Sequence, residues 1–326
     1  MGSMSSPSLM ARIRTWAPSD RTVRLACLAV LVMNVVIVVT GGAVRLTGSG
    51  LGCPTWPTCT GSSLVATPEM GIHGAIEFGN RTLTGVLSVV VGWAIITTMR
   101  QRPRRAALVR LAWAQLAGVA AQALLGGVTV LTGLAPLTVA GHFLLSMALI
   151  AGATALWVRS GETDEPARPL VRRELRALGT LLVVVVGVAV ALGTVVTGSG
   201  PHSGDPDVTH RFPISPAAAA QLHADAAFLT VGLSVALWFA LRATDAPASV
   251  RVRTRDLILV ELAQGLIGYV QYFTHLPILL VGIHMLGSCL VWVAALRLYL
   301  GMRERPRSAQ ALKPVAAERQ QAANAA

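Results

Sequence analysis

The chain has 326 residues, of which 53% are hydrophobic and only 13% charged, and its mean hydropathy is +0.62. These values exclude a soluble globular enzyme, a disordered scaffold and a disulfide-rich secreted module, and the apolar runs are continuous where an outer-membrane barrel would alternate. The net charge of +12 would suggest a nucleic-acid partner if it formed one patch, but the basic residues are parcelled out between apolar runs, so no nucleic-acid role is needed.

A bilayer core about 30 Å thick takes roughly 20 apolar residues per helical span. Eight stretches meet that need: residues 25–42, 78–99, 111–132, 137–158, 177–197, 217–241, 256–274 and 277–299. The tail 1–24 is polar and the first run lacks a small-residue cleavage site, so this run is expected to remain as a span. Of the 27 Lys and Arg, 24 lie in that tail, in the second, fourth and sixth loops, and from Arg297 onward. The positive-inside rule makes this side cytoplasmic and puts both termini there, in a bacterial-type plasma membrane. The Ala- and Gln-rich end 303–326 reads as a disordered cytoplasmic tail.

The first external loop, within 43–77, carries Cys53 and Cys59 around Pro54, Trp56 and Pro57. A disulfide is the simplest reading on an oxidising side, and a redox-active pair is the alternative; two thiols are too few for zinc. Cys27 and Cys289 lie inside spans as core residues. At the start of the second span Glu77, Asn80, Arg81 and Thr84 follow three- and four-residue spacings and share one helix face, with Glu77 and Arg81 able to pair. Such a pair either anchors the span end or sets a carboxylate where it can relay a proton.

The third and fourth spans recur later in the chain. Gln122, Leu124, Gly126, Val128 and His142 return 142 residues on as Gln264, Leu266, Gly268, Val270 and His284, and Val39-Thr40-Gly41 echoes Val196-Thr197-Gly198. Chance likeness among Leu/Val/Gly segments would not keep a His and a Gln at one offset. The expected fold is an all-α integral membrane protein whose eight transmembrane helices form two tandem, pseudo-symmetric four-helix bundles, 25–158 and 177–302, joined by a cytoplasmic linker 159–176.

Three of the seven histidines lie within spans: His142, His223 and His284. Each falls five to seven residues after its span begins, hence roughly 7–10 Å below the outer surface at 1.5 Å per residue. Ionisable side chains inside a membrane are costly and functional by default, and facing histidines of a helix bundle are a standard way to hold a haem iron axially. His223 and His284 are the natural pair. The position matching His223 in the first half is Asn80, and an amide is a poor iron ligand, so a first-half site would rest on His142 alone and keep one face open for a substrate.

These residues resemble the haem A synthases of respiratory membranes. The resemblance runs from Arg24 to Met302 and is most specific over Gly41–Pro54 and Ile76–Arg81, with Gly141-His142, Gln221-Leu222-His223 and Ile283-His284 also similar. It implies haem b held by His223 and His284 in the second half and a substrate, haem O, in the first half. His142 would ligate the substrate iron, Glu77 would be the essential acidic residue, and Cys53 and Cys59 would be the external pair of one branch. It further implies oxidation of a porphyrin methyl group to formyl, giving haem A for cytochrome oxidase; two successive hydroxylations and loss of water are the expected route. The implied partners are haem O synthase, handing over the substrate, and a membrane electron donor or acceptor. The family pattern Glu-x-x-His-Arg reads Glu77-x-x-Asn80-Arg81 here, which removes the second first-half imidazole. A di-haem b-type electron-transfer protein is the alternative, and it would need two complete His pairs.

Arg45, Arg81 and Arg211 are the basic residues left on the outer side, where they are expected to hold haem propionates. His73 either reaches the face of Glu77 or is an exposed loop residue; His202, His210 and His275 read as surface residues. Asp225 is left without a role, and Glu261 is expected to pair with Arg255 or face headgroups.

Overall fold

A computed structural model describes residues 16–305. Among them eight long helices follow one another: α1 Asp20–Leu46, α2 Gly71–Arg100, α3 Ala106–Leu131, α4 Pro136–Ser160, α5 Arg173–Ser199, α6 Pro216–Ala243, α7 Ala248–Phe273 and α8 Ile278–Leu300. They run past the apolar stretches because polar residues at their starts supply what a helix end lacks. Ser19 accepts from the Thr22 amide, Ser215 accepts from the Ala218 amide ahead of Pro216, and Pro136 opens α4 where no amide donor is needed.

Seven of the eight are long and apolar enough to cross a membrane, so this is a multi-pass membrane protein. The eighth expected span is present as α7, yet it fails that measure. Arg251, Arg253, Arg255 and Asp256 fall in its first half, and Glu261 stands just past its midpoint.

In the early part of the chain α1 packs against α2 and α4, and α3 closes the set by touching α2 and α4. Later, α5 packs against α6 and α8, and α7 touches α6 and α8. The two sets meet where α8 lies on α1 and α4, and α4 on α5. Buried side chains fall into two clusters accordingly, one built on α1–α4 with Cys289 of α8, the other on α5–α8. Trp292 of α8 crosses the seam to donate to the Met147 carbonyl of α4 at 2.9 Å.

The echo between the first and fifth spans is displaced from where the sequence reading put it. Thr47-Gly48-Ser49-Gly50 stands at the end of α1 as Thr197-Gly198-Ser199-Gly200 stands at the end of α5. In each, the Thr hydroxyl donates 2.9 Å back to the carbonyl four residues before it, at Ala43 and Gly193.

At the opposite, arginine-rich end, Arg105 pairs with Asp164 at 2.9 Å and Arg305 with Glu162 at 3.3 Å. There a two-residue strand, β1 Arg168–Pro169, pairs antiparallel with β2 Arg303–Glu304. The tail expected from 303 therefore starts two residues inside an ordered pairing, because the extended chain finds backbone partners in the 159–176 connection; residues 306–326, like 1–15, lie outside the described residues.

Replacing Trp292 with Phe keeps the ring and deletes the bond across the seam. A lost hydrogen bond of this kind costs about 1 kcal/mol, so the thermal midpoint in detergent should fall by about 2–4 °C.

Candidate functional site: opposed histidines beneath a clamped loop

His223 lies two turns into α6, and its Nδ1 is 2.9 Å from the Ala189 carbonyl of α5. Bonding a carbonyl requires the proton on Nδ1, which leaves the Nε2 lone pair free to ligate. His284 lies at the matching height of α8, and the two rings face each other with centroids 6.3 Å apart and planes at 74°. An atom bound to both imidazole nitrogens at about 2 Å each, with about 1 Å more from nitrogen to ring centre, sets ring centres about 6 Å apart. The observed separation meets that requirement. Among the described residues no three His, Cys, Asp or Glu side chains converge as a metal site, so the donor set is two imidazoles, which suits an iron whose equatorial positions a macrocycle already fills.

The surroundings fit as well. A Cβ at Gly268 of α7 would stand 3.1 Å from the His284 ring, and one at Gly193 of α5 would stand 3.3 Å from His223. The missing side chains let the Cε1–Nδ1 edge of each ring come close to the neighbouring helix. Gln264 of α7 donates to the His284 carbonyl at 2.7 Å, holding the histidine's own turn.

The first half repeats this construction. Gln122 of α3 donates to the His142 carbonyl at 3.0 Å and also to the Ser146 hydroxyl, and a Cβ at Gly126 would again stand 3.1 Å from the imidazole. In both halves Nδ1 of the α4 or α8 histidine is buried and makes no hydrogen bond within the protein. Among the described residues no second imidazole pairs with His142 as His284 pairs with His223. Asn80 of α2 accepts from the Thr40 hydroxyl of α1 at 2.8 Å, and its amide nitrogen lies over Gly41.

Glu77 and Arg81 lie on the face of α2 that carries Asn80, and they clamp the loop above. Arg81 donates to Glu77 at 2.6 Å, to the Cys53 carbonyl at 3.0 Å, and to the Thr55 and Thr58 carbonyls at 3.2 and 3.1 Å. Glu77, 6% exposed, accepts from the Cys53 amide through its other oxygen at 2.6 Å. Cys53 and Cys59 are disulfide-bonded. Trp56, inside that ring, packs onto Gly127, next to the glycine that faces His142. A loop amide donating to a carboxylate 24 residues away has no sequence signature, so this clamp could not be read in advance.

The three arginines expected on the outer side, where they would meet propionates, are all engaged with protein oxygens. Arg45 bonds the His202 carbonyl at 2.6 Å and that of Thr197 at 3.1 Å, and Arg211 bonds the Gly200 and Val208 carbonyls at 2.8 and 2.9 Å. The end of α5 turns back here and leaves carbonyls without helix partners, which guanidinium groups satisfy. His73 is exposed and shares a hydrogen bond with Ser49 at 2.8 Å. His210 and His275 are exposed, whereas His202, expected at the surface, is half-buried and bonds the Leu276 carbonyl at 3.1 Å. Asp225 is exposed and accepts the Gln221 amide at 2.7 Å. Glu261 does not pair with Arg255, which bonds its neighbour Asp256 at 2.8 Å; it is buried and accepts from Ser234 of α6 at 2.9 Å.

Comparison with known proteins adds a second line of evidence. A family profile described as cytochrome oxidase assembly protein, COX15-CtaA, matches residues 24–296. A protein named Heme A synthase from Methylobacterium sp. (strain 4-46) is 32% identical over 212 residues, 54% of this chain and 56% of that protein. Another so named, from Lysinibacillus sphaericus (strain C3-41), is 32% identical over 148 residues, 44% and 47% of the two. A third, from Methylobacterium radiotolerans, is 31% identical over 227 residues, 59% and 57%. The chain thus spans about half the length of the curated relatives it matches.

Removing Arg81 should release the loop. Arg81→Leu leaves a buried carboxylate unpaired and should cost about 3 kcal/mol, the low end for a buried pair because the Arg81 side chain is 24% exposed. The variant should melt lower, and a protease should nick it between 53 and 70 before any other site; Arg81→Lys should fall between it and wild type.

Proposed function

The chain belongs to the COX15-CtaA family of cytochrome oxidase assembly proteins, and on that premise we propose that it is a haem A synthase, oxidising a methyl group of haem O to formyl. The observation that carries the reading is the 6.3 Å opposition of His223 and His284, set beside a first-half site of the same construction that has only one imidazole.

In this reading the fold is two tandem, pseudo-symmetric four-helix bundles, 25–158 and 177–302, each holding one tetrapyrrole toward the loop-rich end. The separate packing of the two helix sets and the repeated Gln–His carbonyl bonds support it. All eight helices cross the membrane, α7 with its charged turns at the cytoplasmic end. Both termini are cytoplasmic in a bacterial-type plasma membrane, and the tetrapyrrole sites and disulfide loop are toward the outside.

His223 and His284 would hold haem b. When bound, that group supplies the electron transfer that no side chain can perform. Ala189 orients His223 through Nδ1, and Gln264 orients His284 through its backbone. His142 would bind the iron of haem O from one side, and Gly126 leaves room for the Cε1 edge of its ring. Asn80, pinned by Thr40, would offer no imidazole from α2, as suits a molecule that enters, reacts and leaves.

Glu77 is the acidic group of the first-half site and takes up protons at its carboxylate. Arg81 shares that carboxylate with the Cys53 amide, so the proton site and the loop cover move together. Trp56 screens the site from outside water. Arg45 shapes the rim by tying the end of α1 to the 197–202 turn. The substrate would come from haem O synthase, and electrons would pass to or from a membrane partner. A di-haem electron-transfer protein would need a second imidazole pair, and Asn80 stands where the repeat requires the fourth histidine.

Expression in a host that makes haem O, followed by pigment extraction, should yield haem A with wild type. His223→Ala or His284→Ala should lose the haem b spectrum and the product together. His142→Ala should keep the haem b spectrum and lose the product; a wild-type protein that purifies colourless contradicts the reading.

A further inference from the structure

Three charged side chains are buried among the described residues: Glu77, Arg105 and Glu261. The first two are ion-paired, with Arg81 and Asp164. Glu261, 6% exposed, is not. It has one hydrogen bond, from the fully buried Ser234, and its other oxygen is buried without a partner. A carboxylate so placed is costly unless something supplies a positive charge or a proton.

No cation on the helices packed against it does so. On α6, Arg242 stacks on Trp238 at 5.0 Å and Asp225 is exposed and bonded to Gln221. On α8, Arg297 stacks on Trp157 at 5.1 Å. Arg251, Arg253 and Arg255 belong to the first two turns of α7 itself, and Arg255 pairs with Asp256. Cys289 of α8 is buried in the α1–α4 cluster, which leaves His223 and His284 as the other buried or half-buried titratable groups on α6 and α8.

Glu261 stands on the same face of α7 as Gln264 and Gly268. Gln264, one turn on, bonds the His284 carbonyl, and Gly268, about 10 Å along the axis at 1.5 Å per residue, lies against the His284 ring. The Gln264 side-chain oxygen is also buried without a donor. One face of α7 thus presents two unpaired acceptor oxygens below the histidine pair, and a proton on Glu261 would add a donor there.

The repeat argues that this is a special feature. At the matching first-half positions stand Val91 and Val119, both buried, so the packing works with two aliphatic side chains. The first half has its own buried polar pair one turn away, Asn34 and Gln115, but both are neutral amides: Asn34 donates to Gln115 at 3.2 Å, and Gln115 donates to the Leu149 carbonyl. Among the described residues a buried carboxylate without an ionic partner occurs only beneath the two-imidazole site.

We propose that Glu261, assisted by Ser234, is a proton site coupled to the electron on the iron between His223 and His284. The inference rests on the haem b reading above. When a one-electron reductant converts ferric to ferrous iron, the site loses one positive charge, and the Glu261 carboxylate takes one proton from solvent; oxidation of the iron returns that proton. The coupling is electrostatic, since ferric iron in a porphyrin dianion carries a net positive charge that stabilises a carboxylate nearby in a low-dielectric interior.

Redox titration of the purified, haem-loaded full chain at several pH values tests this. In wild type the midpoint potential should fall as pH rises, with a limiting slope of about 59 mV per unit for one proton per electron. In Glu261→Gln the slope should drop by half or more and the potential should stay at its acid-side level. Ser234→Ala keeps the carboxylate but removes its donor, so the slope should remain and its range should move to higher pH. A redox-induced infrared difference spectrum should contain a carboxylic-acid band that Glu261→Gln abolishes. An unchanged slope and band in Glu261→Gln, or an unmoved range in Ser234→Ala, overturns this proposal alone. A preparation without a two-imidazole haem spectrum overturns the underlying reading and this proposal with it.

Discussion

The arrangement depends on keeping two imidazoles opposed across a gap that fits one bound atom. Neither ring can do this from its own helix. His223 is aimed by a carbonyl of α5, and the turn bearing His284 is gripped by Gln264 of α7. All four helices of the later set therefore contribute to one pair of side chains. Their packing cluster, from Leu182 and Val186 through Leu237 and Leu257 to Leu298, holds the backbones that make the opposition possible. In an apolar interior such a pair is costly unless it binds something, because buried polar atoms need partners.

The earlier set uses the same parts with one exchange. Gln122, Gly126 and His142 do what Gln264, Gly268 and His284 do, while Asn80 replaces the second histidine. On the proposed function, this one exchange within a duplicated frame separates a site for a permanent group from one that keeps a face free. The disulfide loop and its clamp, Glu77 and Arg81, occur only over this open site. The end of α5 has no comparable cover and is closed instead by Arg45 and Arg211 on its last carbonyls.

Much of this was legible in the residues. Eight helices followed from apolar run length, and the approach of His223 to His284 followed from their like positions within two runs. The repeat located Gln122 and Gln264 but not their task, which depends on a side chain reaching a carbonyl 20 residues on. Glu77 and Arg81 were legible as a pair because i, i+4 spacing fixes it, whereas Cys53 as their third partner was not, since any amide can donate. Glu261 was misread. Its distance from Arg255 suggested a surface pair, but Arg255 had a nearer carboxylate in Asp256, and only helix packing could show Ser234 facing it. Charge counting placed Arg45, Arg81 and Arg211 on the outer side, yet could not foresee that loop carbonyls would claim them.

The central claim is that one iron lies between His223 and His284. A cryo-electron microscopy map of the full chain, purified from cells that make haem, tests it most directly. The account predicts a flat macrocycle between α6 and α8 with both Nε2 atoms about 2 Å from its iron. A map in which those rings pack on protein or lipid with no macrocycle between them would contradict it.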